Sequence, residues 1–471
     1  MSRAPDSTSR TLDSVIVANR GEIACRIFRT ARSMGIRTIA VYSEADRNSR
    51  HVREADESIC IGPPAARDSY LNIDRVVAAA RQMRATAIHP GYGFLSENPA
   101  FAQACADAGR VFVGPPATVM SAMSSKLTAK ARMRAVGIPV LPGYEGEAQD
   151  LEELERQALA IGLPLMIKPA AGGGGKGMRI VRYPTELGLA LAGARRLAEN
   201  TFGDGKLLLE RFVSTARHVE VQVFADTHGN VVHLGDRDCS TQRRHQKVIE
   251  EGPAPGLSDE IRAKLRSDAV RVAQEIGYVG AGTAEFLFDG IDCYFMEMNT
   301  RLQVEHPVTE ALTGVDLVEW QLRVAAGEAL PLRQDEIRLR GHAVEARVCA
   351  EDPAKHFLPS PGVLRRMVWP ESRGVRVDSG FETGDVVSPH YDSLLGKVIA
   401  WAPTRAAAAA KLADALAQIQ CEGVKCNHEW LSGLLRTRTF LANQHDVNSL
   451  SRLTEEALDV SAVREPVRAA E

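Results

Sequence analysis

The sequence has no paired cysteines of the kind that bind zinc or form a redox centre. Its eight cysteines are scattered over 471 residues, and none forms a Cys-x-x-Cys pair. Scattered thiols in a chain of this length are typical of a reduced, cytosolic protein. Long apolar runs are absent too, because no segment reaches the length of a membrane span and residues 1–10 lack the apolar core of a secretory signal. We therefore expect a cytoplasmic protein without a membrane partner.

An excess of charge of either sign is also missing. The formal net charge is −3 and the isoelectric point is near 6.5. Proteins that bind nucleic acid usually carry a clear basic excess, so we expect no nucleic-acid partner. The hydrophobic content of 45% is ordinary for a globular protein, and the length suggests about three domains.

The first third of the chain alternates short apolar segments with helical ones. Residues 15–18 and 38–42 are predicted strands, and the helical pattern between them ends at Gly35. This order predicts a right-handed βαβ unit and a parallel sheet. No Gly-x-Gly-x-x-Gly follows the first strand, which argues against a dinucleotide site. The loop at residues 89–98 follows a strand, where a binding loop and a structural turn are equally good interpretations.

Two short predicted strands flank a glycine-rich loop at residues 172–177. The loop is not a Walker P-loop, because Ala170 replaces the first glycine and Gly177 follows the lysine where Ser or Thr is needed. Consecutive glycines let backbone N–H groups approach phosphate oxygens closely and leave the segment free to move. We expect a phosphate-covering lid. A disordered linker is the alternative, and the flanking strands disfavour it.

The segment MEMNTRLQVEHPVTE, residues 296–310, alternates apolar side chains with an unusual polar row. The polar positions are Glu297, Asn299, Arg301, Gln303 and Glu305. Because an extended strand sends alternate side chains to opposite faces, we interpret the segment as one strand that ends at His306-Pro307. An ordinary half-buried strand with a wet face is the alternative.

The preceding predicted strand, residues 283–288, can pair with this segment in two registers. A two-residue turn at Asp289-Gly290 would place Glu285 opposite Tyr294, whereas a loop over residues 289–293 would place it opposite Glu297. Facing carboxylates destabilise a sheet unless a cation lies between them, and carboxylate and amide oxygens suit Mg²⁺. We favour the second register, which predicts a magnesium site.

Six motifs in the chain resemble the biotin carboxylase family of the ATP-grasp superfamily, over residues 14–450. They are ANRGEIACRI, HPGYGFLSEN, KPAAGGGGKGMR, RDCSTQRRHQKVIEE, MEMNTRLQVEHPVTE and EDPAKHFLPSPG. The last third is most similar to the biotin carboxylase part of acyl-CoA carboxylase α chains.

The resemblance implies an ATP-grasp fold of mixed α/β and α+β class. It has an N-terminal parallel α/β domain, a small mobile lid and a C-terminal antiparallel-sheet domain. The expected boundaries are residues 1–113 for the first domain, 114–142 for a helical linker, 143–213 for the lid, 214–455 for the C-terminal domain and 456–471 for a frayed tail.

The activity implied by the resemblance is ATP- and bicarbonate-dependent carboxylation of N1 of carrier-bound biotin through carboxyphosphate. This is the first half-reaction of an acyl-CoA carboxylase. ATP and Mg²⁺, with Mn²⁺ as an alternative, are the expected cofactors. Bicarbonate, a biotin carboxyl carrier protein and a carboxyltransferase are the expected partners. The final acceptor stays open among acetyl-, propionyl-, methylcrotonyl- and geranyl-CoA, pyruvate and urea.

Three other interpretations compete with this one. A different ATP-grasp carboxylate ligase would keep the lysines, the glycine loop and the metal ligands, but would not need Arg301, Gln303 and Glu305 together with Arg347. The chain could also serve a pyruvate or urea carboxylase. A catalytically silent scaffold is disfavoured, because Lys247 and Glu305 are both present.

The resemblance also implies roles for individual residues. ATP contacts are implied for Lys126, Lys168, Gly172, Gly173, Gly174, Gly175, Lys176, Gly177, Glu210, His218, Gln242, His245 and Leu287. Metal binding is implied for Glu285, Glu297 and Asn299, which agrees with the favoured register. Bicarbonate would be surrounded by Lys247, Arg301, Gln303, Val304 and Glu305, and biotin would approach Tyr92, Gly93 and Arg347.

The chemistry explains why these residue types are needed. Bicarbonate is a poor nucleophile until it loses a proton, so a carboxylate base must lie beside it, and Glu305 is the candidate. Phosphoryl transfer needs cations around the developing charge, which Mg²⁺, Lys168 and Lys247 would supply. The enolate oxygen of deprotonated biotin needs a cationic partner, and Arg347 and Arg301 fit that role.

Two positions depart from the pattern of stand-alone bacterial subunits. Ser33 and Arg373 replace a glutamate and an aromatic residue that are usual at the dimer surface of those subunits, so a homo-oligomer is left open.

The chain contains no Met-Lys-Met, and its last lysine is Lys425. We therefore expect biotin to arrive on another polypeptide, or the chain to be part of a longer one.

Overall fold

The computed structural model describes residues 10–171 and 177–462, without the side chains of residues 126, 127 and 458–462. The first part is a layered α/β domain. Its strands are β1 (Ser14–Val17), β2 (Arg37–Ser43), β3 (Glu57–Gly62), β4 (Ala87–His89) and β5 (Val111–Phe112), and its helices are α1 (Gly21–Ser33), α2 (Arg50–Glu54), α3 (Ile73–Gln82) and α4 (Pro99–Asp107). The strands form a parallel sheet in the order β3-β2-β1-β4-β5. The predicted parallel sheet is confirmed.

A second, smaller sheet follows two helices. The helices are α5 (Ala117–Ser124) and α6 (Lys126–Ala135). The next elements are β6 (Gly143–Tyr144), α7 (Leu151–Ile161), β7 (Leu165–Pro169), β8 (Arg179–Val181), α8 (Leu187–Phe202) and β9 (Leu207–Arg211). The strands pair antiparallel in the order β6-β9-β7-β8, and α7 and α8 pack against them around a separate apolar core. The predicted glycine loop joins β7 to β8. Its residues Gly172, Gly173, Gly174, Gly175 and Lys176 lie outside the described residues.

The remaining elements are dominated by a large antiparallel sheet. They begin with β10 (Arg217–Ala225), β11 (Val231–Arg243), β12 (Gln246–Gly252), α9 (Asp259–Glu275), β13 (Gly280–Phe288), β14 (Cys293–Asn299), α10 (His306–Thr313) and α11 (Leu317–Ala325). They continue with β15 (His342–Cys349), β16 (Glu351–Asp352), β17 (Leu358–Pro359), β18 (Gly362–Val363), β19 (Arg366–Val368), β20 (Val375–Ser379), β21 (Val386–Val387), β22 (Leu394–Ala402), α12 (Arg405–Ala417), β23 (Gln420–Glu422), α13 (His428–Leu434), α14 (Arg438–Leu441) and α15 (Leu450–Ala462).

The large sheet has the strand order β14-β13-β10-β11-β12-β15-β22-β20. One apolar cluster joins it to the first domain, because Phe224 and Trp320 pack in the same core as Val17 and Ile27. The alanine-rich segment at residues 406–415 lies within α12. The domain boundaries themselves stay predictions. Within the described residues, no helix combines the length and apolar character that a bilayer-spanning helix needs.

The prediction of one strand through Val304 is wrong. Strand β14 ends at Asn299, and residues 300–305 form an extended loop that enters α10. Pro307 occupies the first turn of this helix instead of ending a strand, since the first turn has no need of its missing N–H. Among the residues that the structure describes, none pairs in a ladder with Arg301, Gln303 or Glu305, so their alternation continues beyond the end of the strand.

The predicted register of the β13–β14 hairpin is confirmed, but the predicted loop is wrong. Glu285 pairs directly with Glu297, as expected. The loop spans only residues 289–292, because Phe288 pairs with Cys293, and a bulge at Met296 then shifts the register by one residue. The Asp289 carboxylate accepts hydrogen bonds from the backbone N–H groups of Ile291 and Asp292, which closes the tighter turn. The bulge, not the loop length, brings the two carboxylates together.

Candidate active site

A cleft of about 1030 Å³ gathers most of the residues predicted to act together. It is lined by Tyr92, Gly93, Lys168, His218, Gln242, His245, Lys247, Glu285, Glu297, Asn299, Arg301, Gln303, Val304, Glu305 and Arg347. Glu210, Leu287 and Gly177 are described residues that do not line it. The side chain of Lys126 lies outside the described part of the chain.

The Lys247 ammonium on β12 is the electrostatic centre of the cleft. Its Nζ donates to Glu220 at 2.5 Å, to Glu285 at 2.8 Å and to Glu305 at 2.7 Å. Burial alone would lower the pKa of Lys247, but these three carboxylates raise it well above its ordinary value. The lysine therefore stays charged at neutral pH and holds residues from three separate elements in one place.

Glu305 is held by a second cation as well. Its Oε2 accepts from Arg347 at 2.9 Å, and Arg347 Nε donates on its other side to Glu250 at 2.6 Å. Burial raises the pKa of Glu305, but Lys247 and Arg347 outweigh this effect and hold it below the ordinary value. Glu305 is therefore ionised at neutral pH and able to accept a proton.

His218 on β10 and Gln242 on β11 lie side by side at one end of the cleft. The Gln242 amide is 2.9 Å from His218 Nδ1, and His218 Nε2 is 3.2 Å from Glu285. Burial would lower the pKa of His218, but Glu285 and Glu220 raise it to about 9. His245 lies in a tight turn at φ +66°, is exposed, and has its pKa lowered by partial burial and by Lys168.

The small sheet contributes a buried charge cluster beside the cleft. Lys168 on β7 and Lys130 on α6 both form ion pairs with Glu210 on β9, which is almost fully buried. Lys130 was not predicted as a site residue. Gly177 has φ +79°, and a Cβ there would lie 2.8 Å from the Pro169 ring, so this position requires glycine. Leu287 lies on β13 opposite His218 and is half-buried.

The opposite end of the cleft is closed by the first domain. The Tyr92 hydroxyl donates to Glu22, and the Tyr92 carbonyl accepts from Asn19 at 2.7 Å. Lys397, which is fully buried on β22, lies 3.2 Å from Glu22 and donates to the Val304 carbonyl at 2.7 Å. Gly93 follows Tyr92 at φ +68° and is exposed.

Arg301 connects the extended loop to the same end of the cleft. Its Nε lies 3.0 Å from Glu97, and its guanidinium donates to Asn299 Oδ1 at 3.0 Å. Glu97 in turn accepts from the Thr300 backbone N–H at 3.2 Å. Gln303 is buried and donates to Glu285 at 2.9 Å. The loop at residues 300–305 is therefore held by the side-chain contacts of Arg301 and Gln303 and not by strand pairing.

Three family models match successive parts of the chain. "Biotin carboxylase, N-terminal domain" matches residues 11–120, "Carbamoyl-phosphate synthase L chain, ATP binding domain" matches 125–333, and "Biotin carboxylase C-terminal domain" matches 345–452. The biotin carboxylase of Halalkalibacterium halodurans is 49% identical over 431 residues, covering 91% of this chain and 95% of that protein. The chain belongs to the biotin carboxylase family. The predicted family and the predicted ATP-grasp fold class are confirmed.

Longer proteins are also similar to the chain. The methylcrotonoyl-CoA carboxylase subunit alpha of Glycine max is 51% identical over 457 residues, which are 97% of this chain and 62% of that protein. The chain thus spans less than two thirds of that relative. The biotin carboxylase domain dimer of Hydrogenobacter thermophilus 2-oxoglutarate carboxylase, solved with MgADP, ADP and bicarbonate, has a TM-score of 0.91 and 44% identity. That comparison covers 95% of this chain and 99% of the other.

The predicted metal ligands fit a magnesium ion in their chemistry. Glu285 and Glu297 are direct cross-strand partners, and Asn299 is the next residue on the same face of β14. Two facing carboxylates repel each other unless positive charge lies nearby. Carboxylate and amide oxygens are the ligands that Mg²⁺ prefers. The three residues therefore suit the metal that the biotin carboxylase family implies.

Two buried residues that contact the lining of the cleft, Arg237 and Glu220, were also not predicted from the sequence. Arg237 is fully buried on β11 and donates to Glu220 at 2.6 Å and to Gln303 at 2.7 Å. Burial opposes ionisation of Glu220, but Lys247 and Arg237 hold its pKa below the ordinary range. The alternation of His218, Glu220 and Gln222 along β10 was a usable signal for Glu220. No local pattern marks Arg237, because its partners are distant in sequence.

Proposed function

We propose that the cleft carboxylates N1 of a carrier-bound biotin, with Glu305 as the base and Arg347 as the group that faces biotin. The observation that carries this assignment is the position of Glu305 between two cations, Lys247 at 2.7 Å and Arg347 at 2.9 Å. One carboxylate thus touches the lysine assigned to bicarbonate and the arginine assigned to biotin. A different carboxylate ligase has no need of that connection.

Bicarbonate would be activated at the centre of the cleft. Glu305 is ionised and buried, so it can accept the bicarbonate proton without competition from bulk water. Lys247 and Arg301 supply positive charge for the bicarbonate oxygens. Gln303 is held by Arg237 and Glu285, so its side chain is fixed in advance. The Val304 carbonyl is taken by Lys397, and we assign the Val304 N–H to bicarbonate.

ATP would lie between the small sheet and the large sheet. We assign Lys126, Lys168 and the loop Gly172–Gly177 to the phosphates, and Glu210, His218, Gln242, His245 and Leu287 to the nucleoside. Glu285, Glu297 and Asn299 would hold Mg²⁺, which when bound neutralises charge on the transferring phosphoryl group. Lys247 adds a fixed cation beside these ligands.

Biotin would enter beside Tyr92, Gly93 and Arg347. The role assigned to the Arg347 guanidinium is to stabilise the enolate oxygen formed when N1 loses its proton. Its Nε is anchored on Glu250, so the guanidinium needs little reorganisation when the charge develops. Tyr92 is held by Glu22 and Asn19, which makes that wall of the cleft rigid.

We further propose that the chain supplies the first half-reaction of an acyl-CoA carboxylase, with a biotin carboxyl carrier protein and a carboxyltransferase as partners. The similarity to an α subunit of methylcrotonoyl-CoA carboxylase supports the acyl-CoA setting. The acceptor itself and the oligomeric state stay predictions. A cytoplasmic location is supported by the cysteines, all eight of which are free thiols.

The test is ATP hydrolysis by the purified protein with bicarbonate, with and without free biotin. We expect bicarbonate-dependent release of ADP that biotin increases. Free biotin should be a poor substrate, because it lacks the effective concentration that a carrier provides. Bicarbonate-dependent hydrolysis that is indifferent to biotin and to a biotinylated carrier would favour a different ATP-grasp ligase.

A further inference from the structure

Two glutamates beneath Arg347 lie opposite each other inside the large sheet. Glu250 on β12 and Glu345 on β15 are direct cross-strand partners, and both are 0% exposed. Glu345 and Arg347 are two residues apart on one strand and therefore share a face. Glu250 reaches diagonally to Arg347, since its Oε1 accepts from Arg347 Nε at 2.6 Å.

Three of the four oxygens in this pair lack a hydrogen-bond partner among the described residues. They are Glu250 Oε2 and both oxygens of Glu345. An ionised carboxylate without a partner is among the most costly groups to bury. A neutral carboxylic acid has one O–H to donate, and the acceptor directly opposite Glu345 is Glu250. A single proton held between Glu345 and Glu250 would therefore give one oxygen of each side chain a hydrogen-bond partner.

The charged groups that face the pair do not remove the need for this proton. They are Arg347 on β15, Lys397 on β22, Lys247 on β12 and Glu305 before α10. Lys397 is engaged with Glu22 and the Val304 carbonyl, and Lys247 with the three carboxylates described above. Burial raises the pKa of Glu345 well above its ordinary value, and it raises that of Glu250 to about 7 in spite of Arg347.

We propose that Glu345 keeps its proton and donates it in a hydrogen bond to Glu250, and that this acid–carboxylate pair positions Arg347 in the cleft. This inference rests on the proposed function, in which Arg347 faces biotin. The pair then carries one negative charge, and the Arg347 guanidinium lies between this pair and Glu305. Glu345 touches no reacting group, so it is a positioning residue.

Loss of the shared proton would change the geometry of Arg347. Two ionised carboxylates directly opposite each other repel, and Arg347 is the cation that is hydrogen-bonded to one of them. The guanidinium would then be drawn toward the pair and away from Glu305. At alkaline pH we therefore expect biotin-dependent turnover to fall before ATP binding does.

The shared proton can be tested without any assay of activity. The pair binds its shared proton more tightly in the folded protein than in the unfolded chain, where the pKa of a glutamate is about 4.3. Above that pH the folded pair carries more protons than the unfolded one, so its contribution to stability falls as pH rises. Glu345→Gln has no proton to lose, so its free energy of unfolding should fall less steeply between about pH 5 and pH 9.

Infrared spectroscopy provides the direct measurement. The difference spectrum between the native protein and Glu345→Gln at neutral pH should contain the carbonyl stretch of a protonated carboxylic acid. Glu310→Gln is the matched control, because Glu310 is also buried but is paired with Arg26 at 2.8 Å and Arg376 at 2.6 Å. Its difference spectrum should show carboxylate bands only. Absence of the acid band for Glu345→Gln would overturn the shared proton.

Activity then decides the positioning role. Glu345→Gln keeps a hydrogen-bond donor and should rescue kcat with biotin to within about threefold at neutral pH, whereas Glu345→Leu should lose about tenfold or more. The KM for ATP should be unchanged in both. If Glu345→Leu keeps the native kcat, Glu345 does not position Arg347, even if the infrared band of the protonated acid is present. If native protein shows no biotin-dependent turnover, the proposed function fails, and the infrared and stability measurements still decide the proton.

Discussion

The substitution Glu305→Gln separates the proton-accepting role of this side chain from its size. In the native protein its two oxygens accept from Lys247 at 2.7 Å and from Arg347 at 2.9 Å. Glutamine keeps one acceptor oxygen, and its NH₂ group must face one of the two cations. The variant therefore loses the base and one charge-assisted hydrogen bond, the latter worth about 1.5–3 kcal/mol.

The expected loss of carboxylation is about two to four orders of magnitude. That range corresponds to about 3–5 kcal/mol of transition-state stabilisation. The fold should survive, because Lys247 keeps Glu220 and Glu285, and Arg347 keeps Glu250. ATP binding should also survive, since Glu305 is not among the residues assigned to the nucleotide.

The assay is biotin-dependent release of ADP, together with nucleotide binding measured by calorimetry. Glu310→Gln is the control, since it removes another buried carboxylate that is paired with two arginines but lies outside the cleft. Turnover of Glu305→Gln within tenfold of the native enzyme would refute its role as the base. Equal losses in both variants would mean that the effect comes from lost ion pairs.

Three further predictions follow from the same cleft. Glu285→Gln and Glu297→Gln should each raise the Mg²⁺ concentration needed for half-maximal activity, whereas Glu351→Gln, which removes a cleft carboxylate paired with Arg243, should not. An unchanged titration for either variant would remove that residue from the metal site. Lys168→Met should raise the KM for ATP by about tenfold or more, while Lys206→Met, which changes a partly exposed lysine just before β9 that pairs with Glu147, should leave it unchanged. An avidin blot after coexpression with a biotin ligase should give no band at 51.1 kDa, because the chain has no Met-Lys-Met. A biotinylated chain would contradict delivery of biotin on another polypeptide.

Much of the cleft could be predicted because short motifs carry its chemistry. The roles of Lys247, Glu305 and Arg347 came from the family resemblance, and the fold brings them into one network with Glu285. The pairing of Glu285 with Glu297 followed from the repulsion of facing carboxylates. That pairing depends on residue type and spacing, which a sequence shows directly.

Other features could not be predicted, since they depend on tertiary contacts. The residues Arg301, Gln303 and Glu305 alternate as a strand would, but no strand in the described part of the chain pairs with them. Their loop is held instead by contacts with Glu97, Arg237 and Lys247. The bulge at Met296 leaves no signal in composition or periodicity. Arg237 and Glu250 act through partners that are far away in sequence, so their importance appears only when the strands are in register.

The connection made by Lys397 has a consequence for how such chains evolve. This one lysine reaches Glu22 in the first domain and the Val304 carbonyl in the loop before α10, while its strand lies next to the strand of Arg347. The three family models divide the chain into separate pieces, but Glu22, Val304 and Lys397 belong one to each of them. A chimaera that exchanged one piece alone would keep these contacts only if the new piece supplied the same groups, so we expect the three pieces to be exchangeable only together.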